Sequence, residues 1–440
     1  MKSSLVIRFC IMMFLQFFIW GVWYVPMWKY LGSIEGATDW TKWGFLTPVG
    51  LAYASTGIAA MISPFIVGMI ADRFFPTQIV FGVLHLLGAL FLYLAAQATH
   101  FNVFFPFLLL HLICYMPTLA LANSLLFQNS ANPERDAPPI RTLGTIGWIA
   151  SGILVGGGFL VADSLTWQMP KFMMGSDAPT GKEVVELGKT TWPYTFGVIA
   201  SVLLGLYAFL LPHTPPRLKG QTISVGDVLG LKALRLMKDR SFAVFIVCSL
   251  LICIPLAFYF QSTNVFLGDS NIDNSEGVMT LGQVSEIFFL FLIPFFFRKL
   301  GVKYILAIGM LFWVLRYVMF ANADANTHFL IYAGVILHGI CYDFFFFAGQ
   351  LYVDKRAPED VRSAAQGFIA FVTLGVGMFI GGLLNGWWNQ RQKLSDGSMD
   401  WPSVWYFPAI MAGVVLVIFM WAFREPRVAE KNNAASEKIA

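Results

Sequence analysis

A carboxylate and an amide stand one helical turn apart at the head of a long apolar run. They are Glu286 and Gln283, and the apolar run continues to Phe297. Residues three apart share a helix face, so both side chains point the same way. A charge at bilayer depth costs about 2.5–3.5 kcal/mol on insertion scales, and is kept where it faces a wet cavity or a partner. We therefore interpret this carboxylate as functional; the alternative is a helix-end glutamate that reaches the lipid headgroups.

A second group of side chains that could take part in chemistry lies in another apolar run. It comprises His338, Tyr342 and Asp343. About ten residues separate Asp343 from each end of its run, which at about 1.5 Å per residue places it near the middle of a bilayer. A carboxyl group at that depth could load and release a proton, and so couple substrate movement to protons. The alternative is a structural aspartate paired with a helix end or with Arg316.

A third group is Arg141, Thr145 and Trp148, whose spacing places them on one helix stripe. A guanidinium fork, a hydroxyl and an aromatic plate suit a ligand that has hydroxyls and a flat ring. Equally, Arg141 could only mark the cytoplasmic end of its helix. Spacing alone leaves both interpretations open.

Further polar side chains fall inside apolar runs. The strongest extra candidate is Gln16, which shares a stripe with Trp20 and Trp23, and Gln261 and Asn264 form a second amide pair. Any one such group is more often a satisfied hydrogen bond between helices than a ligand.

Composition sets the class of protein. The chain has 440 residues, of which 57% are hydrophobic and only 12% are charged, whereas soluble domains carry about 25% charged residues. This predicts a polytopic membrane protein. No phosphate-binding loop, nucleophile elbow or metal-ligand motif occurs in the sequence, so we expect neither an enzyme nor a metal site, and no cofactor. Without an ATP-binding domain, uphill transport would draw on an ion gradient.

Apolar runs of about 20 residues predict an all-α membrane protein with twelve transmembrane helices. The predicted spans are 9–30, 45–71, 78–97, 103–127, 141–163, 191–212, 241–267, 278–297, 302–321, 328–353, 362–388 and 402–423. We divide the chain into a six-helix bundle (1–212), a central cytoplasmic loop (213–240), a second six-helix bundle (241–424) and a tail (425–440). Within the central loop, residues 226–238 combine helical apolar spacing with a basic face, which predicts an interfacial helix.

Loop charge predicts the orientation. With the amino terminus inside, most of the 29 basic residues fall in cytoplasmic segments, as the positive-inside rule requires. Both termini are then cytoplasmic. The longest periplasmic loop is 164–190, which could be a partial lid over the outer mouth or a tolerated insertion.

A short motif ends the second predicted span. The segment from Gly68 to Asp72 and Arg73 resembles the Gly-x-x-x-Asp-Arg loop of the major facilitator superfamily. The glycine allows close helix approach, and the charged pair, Asp72 and Arg73, would lock the inner gate.

Six stretches in register over nearly the whole chain resemble the nucleoside:proton symporters of the major facilitator superfamily, which include the bacterial nucleoside and xanthosine permeases. They are Phe14-Leu15-Gln16-Phe17 with Trp20-Gly21, Tyr115-Met116-Pro117-Thr118-Leu119, Pro138-Pro139-Ile140-Arg141 with Gly144-Thr145-Ile146-Gly147, Gln283-Val284-Ser285-Glu286, Tyr342-Asp343-Phe344-Phe345, and Ala364-Ala365-Gln366-Gly367. The resemblance implies a major facilitator fold and proton-coupled import of nucleosides.

The resemblance also implies roles for particular residues. The substrate-binding set is Arg141, Thr145, Trp148, Gln283, Glu286, His338 and Tyr342, to which Phe260, Gln261, Asn264 and Gln16 are added as candidates. Proton coupling would fall to Asp343, with Glu286 as a second candidate. The expected partners are a nucleoside, protons and the lipid bilayer, without nucleic acid; we expect a monomer in a bacterial inner membrane.

Two positions depart from the family pattern. The helix-seven Gln-x-x-Asn pair of the family is replaced by Ala257 and Phe260, although Gln261 and Asn264 stand one turn later. His338 stands where the nucleoside permeases have a pocket tyrosine. Two other functions stay open at this point: a proton-linked symporter of sugars or sugar alcohols, and a sensor or assembly subunit with the same fold and no transport.

Overall fold

The computed structural model describes residues 2–37, 44–173, 175–176, 179–181, 184–216, 231–324, 327–358 and 361–424. The predicted tail 425–440 and residues 217–230 of the central loop lie outside these ranges. The side chains of Asp72 and Arg73 are likewise outside the description, so the proposed gate motif stays a prediction.

Helices make up about two thirds of the first half of the chain. They are α1 (Ser3–Tyr24), α2 (Met27–Leu31), α3 (Pro48–Arg73), α4 (Thr77–Ala96), α5 (Phe101–Gln128), α6 (Pro133–Gly156) and α7 (Trp192–Tyr207), the last followed by a 3-10 turn (Ala208–Leu210). Buried side chains of these helices form one hydrophobic core, which includes Trp23, Phe81 and Tyr194.

The second half repeats this architecture with its own hydrophobic core, which includes Phe258, Trp313 and Trp405. Its helices are α8 (Arg240–Asp269), α9 (Ser275–Ala321), α10 (His328–Ile336), α11 (His338–Tyr342), α12 (Ala348–Arg356), α13 (Arg362–Ala370), α14 (Met378–Arg391) and α15 (Trp401–Ala422). Two π-helical turns, Asp343–Phe347 and Phe371–Gly377, join α11 to α12 and α13 to α14.

Nine helical segments of the described chain are long and apolar enough to cross a membrane. The predicted count of twelve stays a prediction, although the all-α membrane class is confirmed. Helix α9 covers two predicted spans, and the backbone breaks inside it at Gly301, where φ is 71°. Helices α3 and α6 occupy the positions of two more predicted spans, and the described part of α3, Pro48–Ser63, is a shorter apolar helix.

The fifth predicted span was wrong at both ends. Helix α6 begins at Pro133, where Asn132 caps it by accepting from the Arg135 amide, and it ends at Gly156. A β-carbon on the next residue, Gly157, would lie 2.6 Å from the Gln168 carbonyl oxygen. The helix ends at this close approach, and a β-strand follows where the span 141–163 predicted more helix.

A small antiparallel sheet follows α6 where a plain loop was expected. Its strands are β1 (Gly158–Val161), β2 (Ser164–Trp167) and β3 (Val184–Glu186), in the order β2-β1-β3. Ala162 and Asp163 both have positive φ, 47° and 62°, as a tight two-residue hairpin turn requires. The end of the molecule that carries this sheet is called the sheet end below.

The central loop also differs from the expectation. The described part of the predicted interfacial helix 226–238, Leu231–Lys238, is a 3-10 helix rather than an α-helix. The rest of the predicted interfacial helix lies outside the described residues.

The two halves meet closely at the sheet end through glycines, where backbone packs directly against backbone. A β-carbon on Gly156 of α6 would lie 2.5 Å from the Gly277 amide nitrogen of α9, and one on Gly386 of α14 would lie 2.7 Å from the Gly50 Cα of α3. The Asn274 amide donates to the Gly156 carbonyl across the same junction at 2.5 Å. Glycine at these points lets the two halves close against each other.

Candidate functional site

Helices α9 and α11 are fixed in register by small residues. The Ser285 hydroxyl donates to the Ile336 carbonyl at 2.6 Å and accepts from the Gly339 amide at 3.0 Å. A β-carbon on Gly282 would lie 2.9 Å from Cβ of His338, so nothing larger fits there without movement. This packing sets Glu286 and His338 at fixed positions on adjacent helices.

The amide and the carboxylate of α9 differ in burial. Gln283 is buried, and its carbonyl oxygen has no hydrogen-bond partner among the described residues. Glu286 is half-buried, and no described cation pairs with it. An unpaired amide oxygen and an unpaired carboxylate are costly to bury unless a ligand or proton meets them.

Asp343 opens the π-helical turn between α11 and α12. Only 2% of it is exposed, and its Oδ2 has no partner in the described part of the chain. The structure places Arg316 elsewhere, against His338 and the Tyr259 ring, so the pairing of Asp343 with Arg316 does not form. π-Helical turns within α-helices occur frequently at functional sites.

The α6 stripe faces the second half. Arg141 and Tyr342 lie within electrostatic range of each other, and Tyr342 is in turn within range of Glu286 and Asp343. Arg141 is exposed, while Thr145 is half-buried. At the end opposite the sheet, a β-carbon on Gly367 would meet nothing within 4 Å.

A row of aromatic rings crosses from one half to the other. Trp148 lies 5.6 Å from Trp20 on its own side and 6.2 Å from Phe260 of α8 across the interface. Phe260 lies 6.2 Å from His338, whose ring is 5.5 Å from Tyr342. Ring centroids at these separations are in contact range. The structure therefore brings together the aromatic candidates that the sequence scattered over four helices.

Gln261 and Asn264 are buried in α8, and neither polar atom of either amide has a partner among the described residues. Their neighbour Ser262 behaves differently, because its hydroxyl accepts from Asn385 at 2.9 Å and from Asn389 at 3.0 Å. Sequence reasoning missed these two asparagines. The signal was their i, i+4 spacing at the end of the eleventh apolar run, which Asn389 follows directly.

Gln16 is fully buried, and both ends of its amide are used within the first half. Its Nε2 donates to the Thr118 hydroxyl at 2.7 Å, and its Oε1 accepts from Nε2 of His85 at 2.9 Å. The Tyr115 hydroxyl donates to its backbone carbonyl at 2.5 Å. This arrangement holds α1 against α5 and leaves little capacity for a ligand.

An ion cluster at the sheet end was also missed. The Lys29 ammonium on α2 donates to Glu186 at 2.8 Å and to the Ser275 hydroxyl at 2.7 Å, and lies 3.1 Å from Glu276. Only 8% of the lysine and 4% of the Glu276 side chain are exposed. The signal was a lysine inside the first predicted span, since a buried cation needs a counter-charge. We call these four residues the sheet-end latch, because they join the first half, the sheet and the second half.

Glu186 lies on β3, outside the membrane-spanning helices. Burial acts to raise the pKa of its carboxyl, but Lys29 and Lys189 outweigh burial and bring that pKa down to about 2. The Glu186 carboxylate is therefore charged at neutral pH.

Within the described part of the chain, no group of three His, Cys, Asp or Glu side chains is placed to hold a metal ion. The candidate site consists of polar and aromatic side chains alone, and suits an organic ligand with hydrogen-bonding groups and a flat ring.

Known proteins match this chain over nearly its whole length. The family model described as "Nucleoside H+ symporter" matches residues 1–428. YegT of Escherichia coli K12, a candidate nucleoside transporter, is 41% identical over 97% of this chain and 95% of its own length. The xanthosine permease of the same organism is 30% identical over 97% of this chain and 98% of its own length.

A solved structure of the nucleoside transporter NupG, in a single-residue variant, superimposes with a TM-score of 0.80 at 28% identity. The match covers 96% of this chain and 100% of that one. The predicted major facilitator fold is thereby confirmed, and the members of the family are transporters rather than enzymes. On this evidence, the chain belongs to the nucleoside H+ symporter family.

Proposed function

We propose that this protein imports nucleosides together with protons, using the site between its two halves. The observation that supports this most directly is the aromatic row from Trp148 through Phe260 to Tyr342. Gln283 and Asp343 of the second half add polar atoms that have no partner among the described residues. A flat base can stack on such rings while the polar groups take the hydroxyls of the ribose.

We assign the hydrogen bonding of ribose and base to Arg141, Thr145, Gln283 and Glu286. Stacking on the base is assigned to Trp148 and Tyr342, with Phe260 between them. Gln261 and Asn264 supply buried, unpaired amides on α8, and they complete the set if the helix rotates or shifts during transport. Gln16 has its amide committed to Thr118 and His85, so we give it a supporting role.

Proton coupling is assigned to Asp343, with Glu286 as its neighbour. The two carboxylates lie within electrostatic range of each other, and neither has an ion-pair partner in the described chain. Two negative charges close together in a membrane interior repel each other, so loading one proton relieves that repulsion. A proton on Asp343 would then travel with the substrate, and its release would reset the carrier.

The wider setting is part of the same proposal. We place the protein in a bacterial inner membrane as a monomer, with both termini cytoplasmic, driven by the proton gradient and without a cofactor. In this orientation the sheet end is periplasmic and closed, and the site opens toward the cytoplasm. Alternation would then consist of rocking the two halves about the central site.

Competition of unlabelled compounds against labelled uridine uptake in cells that express the protein tests the substrate class. We expect nucleosides to compete and sugars such as xylose to leave uptake unchanged. Inhibition by sugars at concentrations where nucleosides have no effect would overturn the nucleoside assignment and favour a sugar symporter. An Arg141→Met variant serves as the site control, since it should lose uptake while reaching the membrane in normal amounts.

A further inference from the structure

Arg316 is a buried cation without a counter-charge among the residues that the structure describes. It is 0% exposed, and no carboxylate of the described residues lies within ion-pairing distance of it. Its guanidinium is instead centred 3.5 Å from the Tyr259 ring and 5.3 Å from the Trp313 ring. Aromatic faces stabilise a desolvated cation. Such an arrangement calls for a role, because burying a charge is costly.

The guanidinium makes a hydrogen bond to a residue of the candidate site. Nη1 of Arg316 lies 3.3 Å from Nδ1 of His338. A guanidinium nitrogen can only donate, so Nδ1 of the histidine must accept and carries no proton. The imidazole is therefore neutral, with its proton on Nε2.

The ring is also held in place. His338 stacks on Tyr259 at 4.9 Å and 17°, and Phe260 meets its face edge-on at 6.2 Å. The same Tyr259 ring carries the guanidinium on it. Arg316 and Tyr259 thus fix both the tautomer and the orientation of the imidazole. No acceptor for Nε2 occurs among the residues that the structure describes, although the ring lies in the aromatic row of the site.

We propose that Arg316 is a positioning residue that makes His338 a donor-only group, so that a substrate must present a hydrogen-bond acceptor to it. This inference rests on the proposed function, because the substrate is taken to be a nucleoside. An acceptor on a nucleobase is an unprotonated ring nitrogen or a carbonyl oxygen. A base that presents an N–H or C–H at the same point leaves the Nε2 proton without a partner. Such a base should therefore bind more weakly.

The tautomer can be tested without any substrate. In detergent-solubilised protein labelled with ¹⁵N-histidine, the signals lost in the His338→Gln variant belong to this residue. We expect them to show an unprotonated Nδ1 and a protonated Nε2. A protonated Nδ1 would overturn the inference, whatever the protein transports.

The consequence for selectivity is tested with adenosine and its 1-deaza, 3-deaza and 7-deaza analogues, each of which replaces one ring nitrogen by C–H. Inhibition constants are measured against labelled adenosine uptake. In the wild-type protein we expect one analogue to bind about tenfold more weakly than adenosine. In Arg316→Met, the ratio of this analogue's inhibition constant to that of adenosine should fall to about threefold or less, because the imidazole is free to turn. Arg316→Lys keeps a donor and should restore part of the ratio.

Two further results separate the possible failures. If Arg316→Met weakens adenosine and the analogues by the same factor, Arg316 is only structural and this inference is wrong. If the wild-type protein takes no nucleoside, the proposed function fails, and the selectivity claim falls with it. The pair His338→Gln and His338→Phe covers the case of an unstable arginine variant. His338→Gln keeps a donor near the Nε2 position and should retain the ratio of the two inhibition constants. His338→Phe has no donor, and an unchanged ratio in this variant would contradict the proposal.

Discussion

The sheet-end latch can be broken by a single substitution, Lys29→Met. Removing the ammonium leaves Glu276, whose side chain is 4% exposed, as a buried carboxylate without its cation. Breaking a buried ion pair from one side costs about 3–5 kcal/mol. We take about 3 kcal/mol, because the Ser275 hydroxyl still donates to Glu276. We assign this cost to the conformation that is closed at the sheet end, because opening that end would separate Lys29 of the first half from Glu276 of the second.

A cost of about 3 kcal/mol changes the ratio of closed to open conformations about 150-fold. A population of 99 closed molecules to 1 open molecule would become about 2 closed to 3 open. The change can be measured by the distance between spin labels on cysteines introduced at Thr191 and Ser395, two exposed positions that flank the sheet end on opposite halves. The five native cysteines would first be replaced. We expect a second, longer distance to appear in Lys29→Met.

Lys189→Met is the matched control. Lys189 pairs with the same Glu186 at 2.9 Å, but 52% of its side chain is exposed, and exposed pairs contribute about 0–1 kcal/mol. Its distance distribution should equal that of the unsubstituted protein. Adding Glu276→Gln to Lys29→Met should return part of the closed population, because the unpaired charge is removed. A distance distribution unchanged by Lys29→Met, in protein that is folded and monodisperse, would refute the reasoning.

Three further outcomes are expected. Asp343→Asn should keep nucleoside exchange across the membrane but lose uphill uptake, because an amide cannot carry the proton; concentrative uptake by this variant would remove the coupling role. Since the pKa of Glu186 is about 2, its stabilising ion pair is complete above about pH 4.5 and is lost only as pH falls toward 2. Glu186→Gln should therefore leave the shape of the uptake profile between pH 5.5 and 8 unchanged, and a shifted midpoint would contradict this. Gly156→Ala should lower the melting temperature and open the sheet end, because its β-carbon would meet the Gly277 backbone at 2.5 Å; Gly367→Ala, with open space around it, should do neither.

Much of the site could be predicted because charge and amide groups in apolar runs are costly and therefore informative. Glu286, Asp343 and Arg141 stand out in this way, and the family resemblance adds the aromatic partners. The sequence could not show that Phe260, from a helix distant in the chain, would lie between Trp148 and His338. That contact depends on how the two halves are rotated relative to each other.

The parts that sequence reasoning missed depend on contacts between distant segments. In the sequence, Lys29 resembles a lysine at a helix end. Its role in the sheet-end latch follows only from its ion pairs with Glu186 and Glu276, which lie in two other parts of the chain. The sheet between α6 and α7 was missed because hydropathy continues past Gly156, while the close approach of the Gln168 backbone ends the helix. Arg316 was noticed as an alternative partner for Asp343, but its actual partner is His338.

The most direct test of the account is uptake of labelled uridine and adenosine by proteoliposomes, with and without an inward proton gradient. The account predicts that the gradient drives accumulation above the external concentration, that a protonophore abolishes it, and that Asp343→Asn equilibrates without accumulating. Accumulation that is indifferent to the proton gradient, or no uptake of either nucleoside by folded protein, would contradict it.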